Sequence, residues 1–265
     1  MSLKYGLLGK NISYSKSPFI YNYWFSKYNI NAEYLLIDTD NLTIDFFLNL
    51  IENEKFAGLN FTIPYKKFLL QVDTLEKFKK IGFTLNIEEA CNFIQGCNFL
   101  SIKDKKIEVK NTDYLGLIDS FIENKFDFTN KNILILGASA SVLALIYAIN
   151  NHNRLYKNIY IINRTKEKAH ELVKKNNKIL HFSGKIEDID YIFNATSLNF
   201  LEALDFFSID KNIEKPIFYD LNYHFIYKNS KIVKGSSMLL NQAKYNFKNW
   251  FGFYPILDNE LINNI

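Results

Sequence analysis

In the second half of the chain, short apolar runs alternate with charged, amphipathic segments. The apolar runs predict buried strands at residues 132–136, 158–163, 178–182, 191–195 and 216–221. Between them, the apolar positions at 141–150 and 166–175 recur with helical spacing and predict helices. This alternation predicts a parallel sheet with helices on both faces.

The first half has a less regular pattern, which predicts a mixed sheet. Ser17 is expected to cap a helix that has Pro18 in its first position, and Pro64 is expected to end the third strand. Predicted strands lie at 4–8, 33–37 and 58–63, with a hairpin at 99–109 that turns at 103–105. Predicted helices lie at 17–28, 44–51, 65–71, 114–123, 238–250 and 256–265.

Composition restricts the class of protein. The 265 residues are 48% hydrophobic and 23% charged, as in globular chains with one large domain or two smaller ones. The net charge of +4 comes from interspersed charges, which favours a solvated surface over nucleic-acid binding. Cys91 and Cys97 lack metal-site spacing and, without a signal peptide, indicate free thiols in the cytoplasm. No apolar run reaches the roughly 18 residues of a membrane span.

A lysine and an aspartate are the candidate acid–base pair. Lys66 follows the end of a predicted strand, and Asp113 closes the Asn111-Thr112-Asp113 segment. Together they can move a proton to and from an oxygen, which the interconversion of a ketone and an alcohol requires. A lone Lys66 would by default be a surface lysine.

Gly137 lies in a strand–turn–helix segment, residues 133–141, of the kind that binds a dinucleotide pyrophosphate at a helix N-terminus. Ser139 stands where a second glycine is usual, so an ordinary turn is about as well supported by this segment alone. The next strand ends at Asn163-Arg164-Thr165, with Lys166 and Lys168 nearby and no carboxylate at its tip. These donors and charges suit a 2′-phosphate, and the alternative is a solvated basic turn.

Two further polar segments are candidate binding loops. Asn194-Ala195-Thr196-Ser197 follows a strand at the sheet edge where doubly wound folds hold ligands, although Asn194 is equally suited to cap a loop. Ser15 and Ser17 lie at a helix start and are suited to bind a carboxylate, although a well-capped helix explains Ser17 alone.

These segments, in this order and spacing, resemble the shikimate dehydrogenase family over nearly the whole chain. The motifs on which this resemblance rests are residues 15–18, 60–66, Asn92, 111–113, the Gly137 turn, 163–165, 194–197 and 235–242. The resemblance implies NADPH-dependent reduction of 3-dehydroshikimate to shikimate, in aromatic biosynthesis. It implies an α/β fold with an N-terminal mixed-sheet substrate domain (1–112 and 236–265) and a Rossmann-type NADP domain (113–235). The C-terminal helices would return to the first domain.

The resemblance also implies roles for individual residues. Lys66 and Asp113 would form the catalytic pair, and both would also contact the substrate. Substrate binding would further involve Ser15, Ser17, Thr62, Asn92, Tyr223 and Gln242. Cofactor binding would involve Gly137, Ala138, Ser139, Ala140, Ser141, Asn163, Arg164, Thr165, Lys168, Asn194, Ala195, Thr196, Leu221, Gly235 and Met238. We expect no metal, a cytoplasmic location, and a monomer or homodimer.

The chain departs from the family pattern at several positions. Tyr14 stands in place of a histidine, so we expect a different pocket entrance. Ser139 stands in place of a glycine, which predicts working but weaker cofactor binding. The segment between Tyr223 and Gly235 is short. Two alternatives stay open: a quinate/shikimate dehydrogenase, which the absence of an acidic residue beside Arg164 argues against, and a catalytically silent binding protein, which retention of Lys66 and Asp113 argues against.

Overall fold

A computed structural model describes residues 2–152, 155–175, 179–210, 212–225, 227 and 231–265. The chain divides into two compact units, residues 1–116 with 240–265 and residues 117–239. The divisions fall inside two helices, near but not at the predicted domain limits of 113 and 236, which stay a prediction.

The first unit is built on a mixed six-stranded sheet. Its strands are β1 (Leu3–Gly9), β2 (Ala32–Asp38), β3 (Phe56–Phe61), β4 (Thr84–Ile87), β5 (Phe99–Lys103) and β6 (Lys106–Lys110). They lie in the order β2-β1-β3-β5-β6-β4. The strands pair in parallel at β1/β2, β1/β3 and β4/β6 and antiparallel at β3/β5 and β5/β6.

The helices of the first unit are α1 (Ser17–Lys27), α2 (Ile44–Glu52), α3 (Val72–Lys80), α4 (Glu89–Ile94), the start of α5 (Asp113–Glu123), the end of α9 (Ser236–Phe251) and α10 (Asn259–Asn263). A 3-10 turn, Tyr65–Leu70, follows the cis Ile63–Pro64 bond after β3. The predicted cap of α1 is wrong: Lys16 is the cap and makes no side-chain hydrogen bond, while Ser17 is the first helical residue.

Aromatic side chains fix α9 against the sheet of the first unit. A Cβ on Gly58 would lie 2.2 Å from the Trp250 indole nitrogen, so only glycine lets this ring lie on β3. The indole N–H donates to the Leu100 carbonyl at 3.1 Å. Tyr21 and Tyr34 stack with ring centroids 4.3 Å apart, and both are buried. This packing holds the face of α9 that carries Gln242 in a defined place.

The second unit is built on a six-stranded sheet. Its strands are β7 (Asn132–Leu136), β8 (Asn158–Ile162), β9 (Ile179–His181), β10 (Tyr191–Asn194), β11 (Ile217–Asp220) and β12 (Ile232–Lys234). They lie in the order β12-β11-β10-β7-β8-β9, and the strand pairings described are all parallel. This is the doubly wound dinucleotide-binding order, which reverses between β7 and β10. Its helices α6 (Ala140–His152), α7 (Lys166–Lys175) and α8 (Phe200–Phe206) lie between strands in the chain.

The predicted α/β class with a mixed and a parallel sheet is confirmed. The prediction from sequence did not include α3, β4, α8 and β12. The predicted strand at 178–182 is observed as Ile179–His181, and Lys178 lies outside the described residues. The predicted hairpin turn is present, with Asp104 and Lys105 both at positive φ (48° and 59°).

Candidate active site

Lys66 and Asp113 form an ion pair. Lys66 lies in the 3-10 turn that follows β3, and Asp113 is the first residue of α5. Lysine Nζ is 2.6 Å from aspartate Oδ2, and the side chains are only 14% and 8% exposed. An ammonium held this close to a carboxylate in a water-poor site is a donor poised for a neighbouring oxygen.

A buried asparagine that the sequence analysis missed orients the aspartate. Asn98, 3% exposed, donates from Nδ2 to Asp113 Oδ1 at 2.7 Å and to Gln242 Oε1 at 3.3 Å. Its Oδ1 accepts the backbone N–H of Thr112 at 2.7 Å. Asp113 is therefore held on one carboxylate oxygen by Asn98 and on the other by Lys66.

Asn92, the asparagine chosen from the sequence, lies on an exposed face of α4. The structure does not bring it to the Lys66–Asp113 pair. The helix ends at Gln95, whose positive φ of 55° turns the chain back. The Cys97 N–H then donates to the Lys66 carbonyl at 2.7 Å, and the Asn98 carbonyl accepts from Phe61 N–H at 3.0 Å. These two bonds place Asn98, and not Asn92, beside the acid–base pair.

The Cys97 thiol also contacts the Lys66 segment, with Sγ 3.3 Å from the Lys66 carbonyl oxygen. Burial raises the pKa of this thiol to about 12. Cys97 is therefore a neutral thiol that supports the turn and does not act as a nucleophile.

The serine loop and the lysine turn follow neighbouring parallel strands. Ser15 and Ser17 come after β1, and Thr62 comes after β3, so both loops leave the same edge of the sheet. Ser17 is buried, and its backbone N–H donates to Ser15 Oγ at 3.2 Å. A Cβ on Gly9 would lie 2.5 Å from Thr62 Cγ2, so glycine lets the two loops approach.

In the second unit, the turn after β7 requires glycine. Gly137 has φ +106°, and a Cβ there would lie 2.9 Å from the Ala195 carbonyl oxygen. The turn leads into α6 at the point where the strand order reverses, which is where this fold binds the phosphates of a dinucleotide. Ala138, Ser139 and Ser141 are half-buried in this segment, while the side chain of Ala140 lies outside the described residues.

The predicted 2′-phosphate residues lie together after β8. Arg164 and Lys168 are exposed, and Asn163 and Thr165 are half-buried. Asn163 Nδ2 donates to the Thr165 carbonyl at 2.8 Å, and Lys168 N–H donates to the same carbonyl at 3.2 Å. The segment presents two positive charges to solvent and fits the phosphate of NADP(H).

The side chain of Asn194 makes hydrogen bonds inside the second unit. It is fully buried, donates to the Leu198 carbonyl at 2.8 Å and to Asp220 at 3.0 Å, and accepts from the Thr196 N–H and hydroxyl. Asp220 also accepts from Tyr227, and burial raises the pKa of its carboxyl. These bonds suit the loop-capping alternative, and the predicted cofactor contact of Asn194 stays a prediction.

The remaining cofactor candidates lie after β11 and β12. A Cβ on Gly235 would lie 2.4 Å from the Leu221 carbonyl oxygen, so these two segments approach through glycine. Met238 and Tyr223 are half-buried, and the Tyr223 ring packs on His224 with centroids 4.0 Å apart. Part of the short segment between Tyr223 and Gly235 lies outside the described residues.

Comparison with known proteins identifies the family. Residues 7–82 match the model of the shikimate dehydrogenase substrate binding domain. An NADP(+)-dependent shikimate dehydrogenase from Pelagibacter ubique (strain HTCC1062) is 34% identical over 269 residues, which is 97% of this chain and 96% of the relative. This chain belongs to the shikimate dehydrogenase family. The predicted family is therefore confirmed.

Solved structures agree in fold. A shikimate dehydrogenase from Thermus thermophilus, solved with NADP(H) and shikimate, has a TM-score of 0.79 at 20% identity and covers 99% of this chain and 97% of that one. A quinate dehydrogenase from Corynebacterium glutamicum, solved with NAD, also has a TM-score of 0.79, at 19% identity, covering 99% and 98%. Both likenesses support the fold alone. Among the described residues, none of the helices is long and apolar enough to cross a membrane.

Proposed function

We propose that the chain catalyses the reversible NADPH-dependent reduction of 3-dehydroshikimate to shikimate. The Lys66–Asp113 ion pair carries this proposal, because a buried ammonium on a carboxylate is the group that carbonyl reduction needs. The relative from Pelagibacter ubique is an NADP(+)-dependent shikimate dehydrogenase, and the basic 164–168 segment of the second unit suits the 2′-phosphate of the same cofactor.

The Gly137 turn and the basic 164–168 segment would hold NADPH, which when bound would supply the hydride for the carbonyl carbon. Lys66 donates a hydrogen bond, and then a proton, to the carbonyl oxygen as negative charge develops there. Asp113 holds the ammonium and accepts a hydrogen bond from a ring hydroxyl. Ser15 and Ser17 bind the substrate carboxylate, and Thr62 and Gln242 contact ring hydroxyls.

Asn98 takes the role that the sequence analysis gave to Asn92. It holds both Asp113 and Gln242, so it lies between two substrate-binding groups. Both of its donors are used on these two groups, so we propose that it holds them in place for the ring hydroxyls. Tyr223 is proposed to assist in carboxylate binding, on the strength of the family pattern.

The domains in this proposal are 1–112 with 236–265 for the substrate and 113–235 for NADP. We further propose that the protein acts in the cytoplasm as a monomer or homodimer, without nucleic acid.

Steady-state assays of the wild-type protein with shikimate or quinate, each with NADP or NAD, test the proposal. We expect the highest kcat/KM with shikimate and NADP. A preference for quinate with NAD would replace the proposed activity with that of a quinate dehydrogenase. Absence of nicotinamide reduction with all four pairs would indicate a silent binding protein.

A further inference from the structure

A fully buried asparagine, Asn246, lies one helical turn after Gln242 on α9. A carboxamide inside a helix-packing face costs free energy unless its donors and acceptor are all used. Both the oxygen and the nitrogen of the Asn246 carboxamide make hydrogen bonds. Its Oδ1 accepts from the Thr112 hydroxyl at 2.6 Å, and its Nδ2 donates to Gln242 Oε1 at 3.0 Å and to Tyr21 Oη at 3.2 Å.

Two groups set the direction of each hydrogen bond in this network, because one can only donate and the other can only accept. The Thr112 backbone N–H can only donate, so the Asn98 atom that faces it is the oxygen. The Asp113 carboxylate can only accept, so the Asn98 atom that faces it is the nitrogen. The orientation of the Asn98 carboxamide follows from backbone and charge.

The orientation of Asn98 in turn fixes the orientations of two carboxamides on α9. Because Asn98 Nδ2 faces Gln242, the Gln242 atom at 3.3 Å is its oxygen. The Asn246 atom that lies 3.0 Å from this oxygen is therefore its nitrogen, and the Asn246 oxygen faces the Thr112 hydroxyl. Burial raises the pKa of the Tyr21 hydroxyl, which keeps the phenol neutral as the last partner.

We propose that Asn246 is a positioning residue that fixes the Gln242 carboxamide with its oxygen towards the protein. With the oxygen held by two donors, Gln242 meets the substrate as an N–H donor, which favours a hydroxyl or keto oxygen at that place on the ring. The proposal rests on the proposed function and extends it, since the residue sets which end of Gln242 recognises the ligand. Asn246 acts through Gln242 and does not itself contact substrate.

Asn246→Leu tests the proposal, because leucine keeps the approximate volume and removes both the donor and the acceptor. We expect KM for shikimate to rise about tenfold, the size expected for one or two lost hydrogen bonds, while KM for NADP stays unchanged. The matched control is Asn249→Leu on the same helix, since Asn249 bonds Lys110 and the Tyr245 carbonyl instead. It should leave KM for shikimate unchanged.

A double-mutant cycle separates positioning from general destabilisation. In a Gln242→Ala background, Asn246→Leu should raise KM for shikimate no further, because the group through which it acts is gone. An equal rise in both backgrounds, or no rise in the wild-type background, overturns the proposal.

Hydrogen exchange of the side-chain carboxamides tests the network without turnover. In the 15N spectrum of the wild-type protein, we expect the Asn246 carboxamide protons to exchange far more slowly than those of exposed Asn92. Equal rates overturn the proposal even if Asn246→Leu fails to fold. An inactive wild-type protein with slow Asn246 exchange would remove the proposed activity and keep the positioning of Gln242.

Discussion

Asn98→Leu should destabilise the first unit and disable its acid–base pair. The substitution removes the acceptor of the backbone N–H of Thr112, a residue that is 1% exposed, at a cost of about 1–3 kcal/mol. Loss of the bond to the Asp113 carboxylate adds about 1.5–3 kcal/mol. Burial of the leucine returns about 1.5–3 kcal/mol, so the net loss is about 1–3 kcal/mol. A fall in Tm of about 3–10 °C follows.

Asn92→Leu is the matched control, because it makes the same chemical change at an exposed position six residues earlier. Surface substitutions of this kind change stability by about 0.5 kcal/mol or less. Thermal unfolding followed by circular dichroism, with kcat/KM for shikimate measured below the transition, gives both readouts. We expect loss of stability and of activity in Asn98→Leu alone. If Asn92→Leu lost as much activity, or if Asn98→Leu kept wild-type Tm, the assignment of Asn98 to the site would be wrong.

Three further predictions concern the turn after β7, the buried thiols and the C-terminal helix. Ser139→Gly should lower the Kd for NADPH measured by fluorescence titration, because it removes a Cβ near the phosphates; an unchanged Kd would contradict this. Burial raises the pKa of the Cys97 thiol to about 12 and that of the Cys91 thiol further, so native protein should resist a thiol reagent that labels both after denaturation. The ion pair with Lys27 lowers the pKa of Asp258 from 3.8 to about 2, so this carboxylate stabilises the fold above pH 4. Asp258→Asn should therefore lower Tm at pH 7, and the difference should vanish as the pH falls from about 4 to 2; a constant difference would contradict the ion pair.

The sequence predicted the second unit more closely than the first. β7 is a continuous apolar run, and its predicted bounds of 132–136 match the structure. β4 and β12 have four and three residues, and each lies at the edge of its sheet, paired with one strand. Such short strands have no local pattern, because their hydrogen-bond partners define them.

The sequence pattern alone did not decide whether Asn92 or Asn98 lies beside Asp113. Both asparagines fall in one polar–apolar segment, and order along the chain does not distinguish them. The left-handed residue Gln95 and the bond from Cys97 N–H to the Lys66 carbonyl decide which one reaches Asp113. The signal available in the sequence was a polar Asn98 between Cys97 and Phe99, at the start of a strand where apolar residues are expected.

The kcat of Lys66→Ala with saturating shikimate and NADP tests the central claim most directly. Lys67→Ala is the control, since Lys67 is the next residue of the same turn and is exposed. We predict a fall in kcat on the order of 10²–10⁴-fold for Lys66→Ala, the usual contribution of a positioned acid–base group, with KM little changed. Wild-type kcat in Lys66→Ala would contradict the assignment of Lys66 as the proton donor.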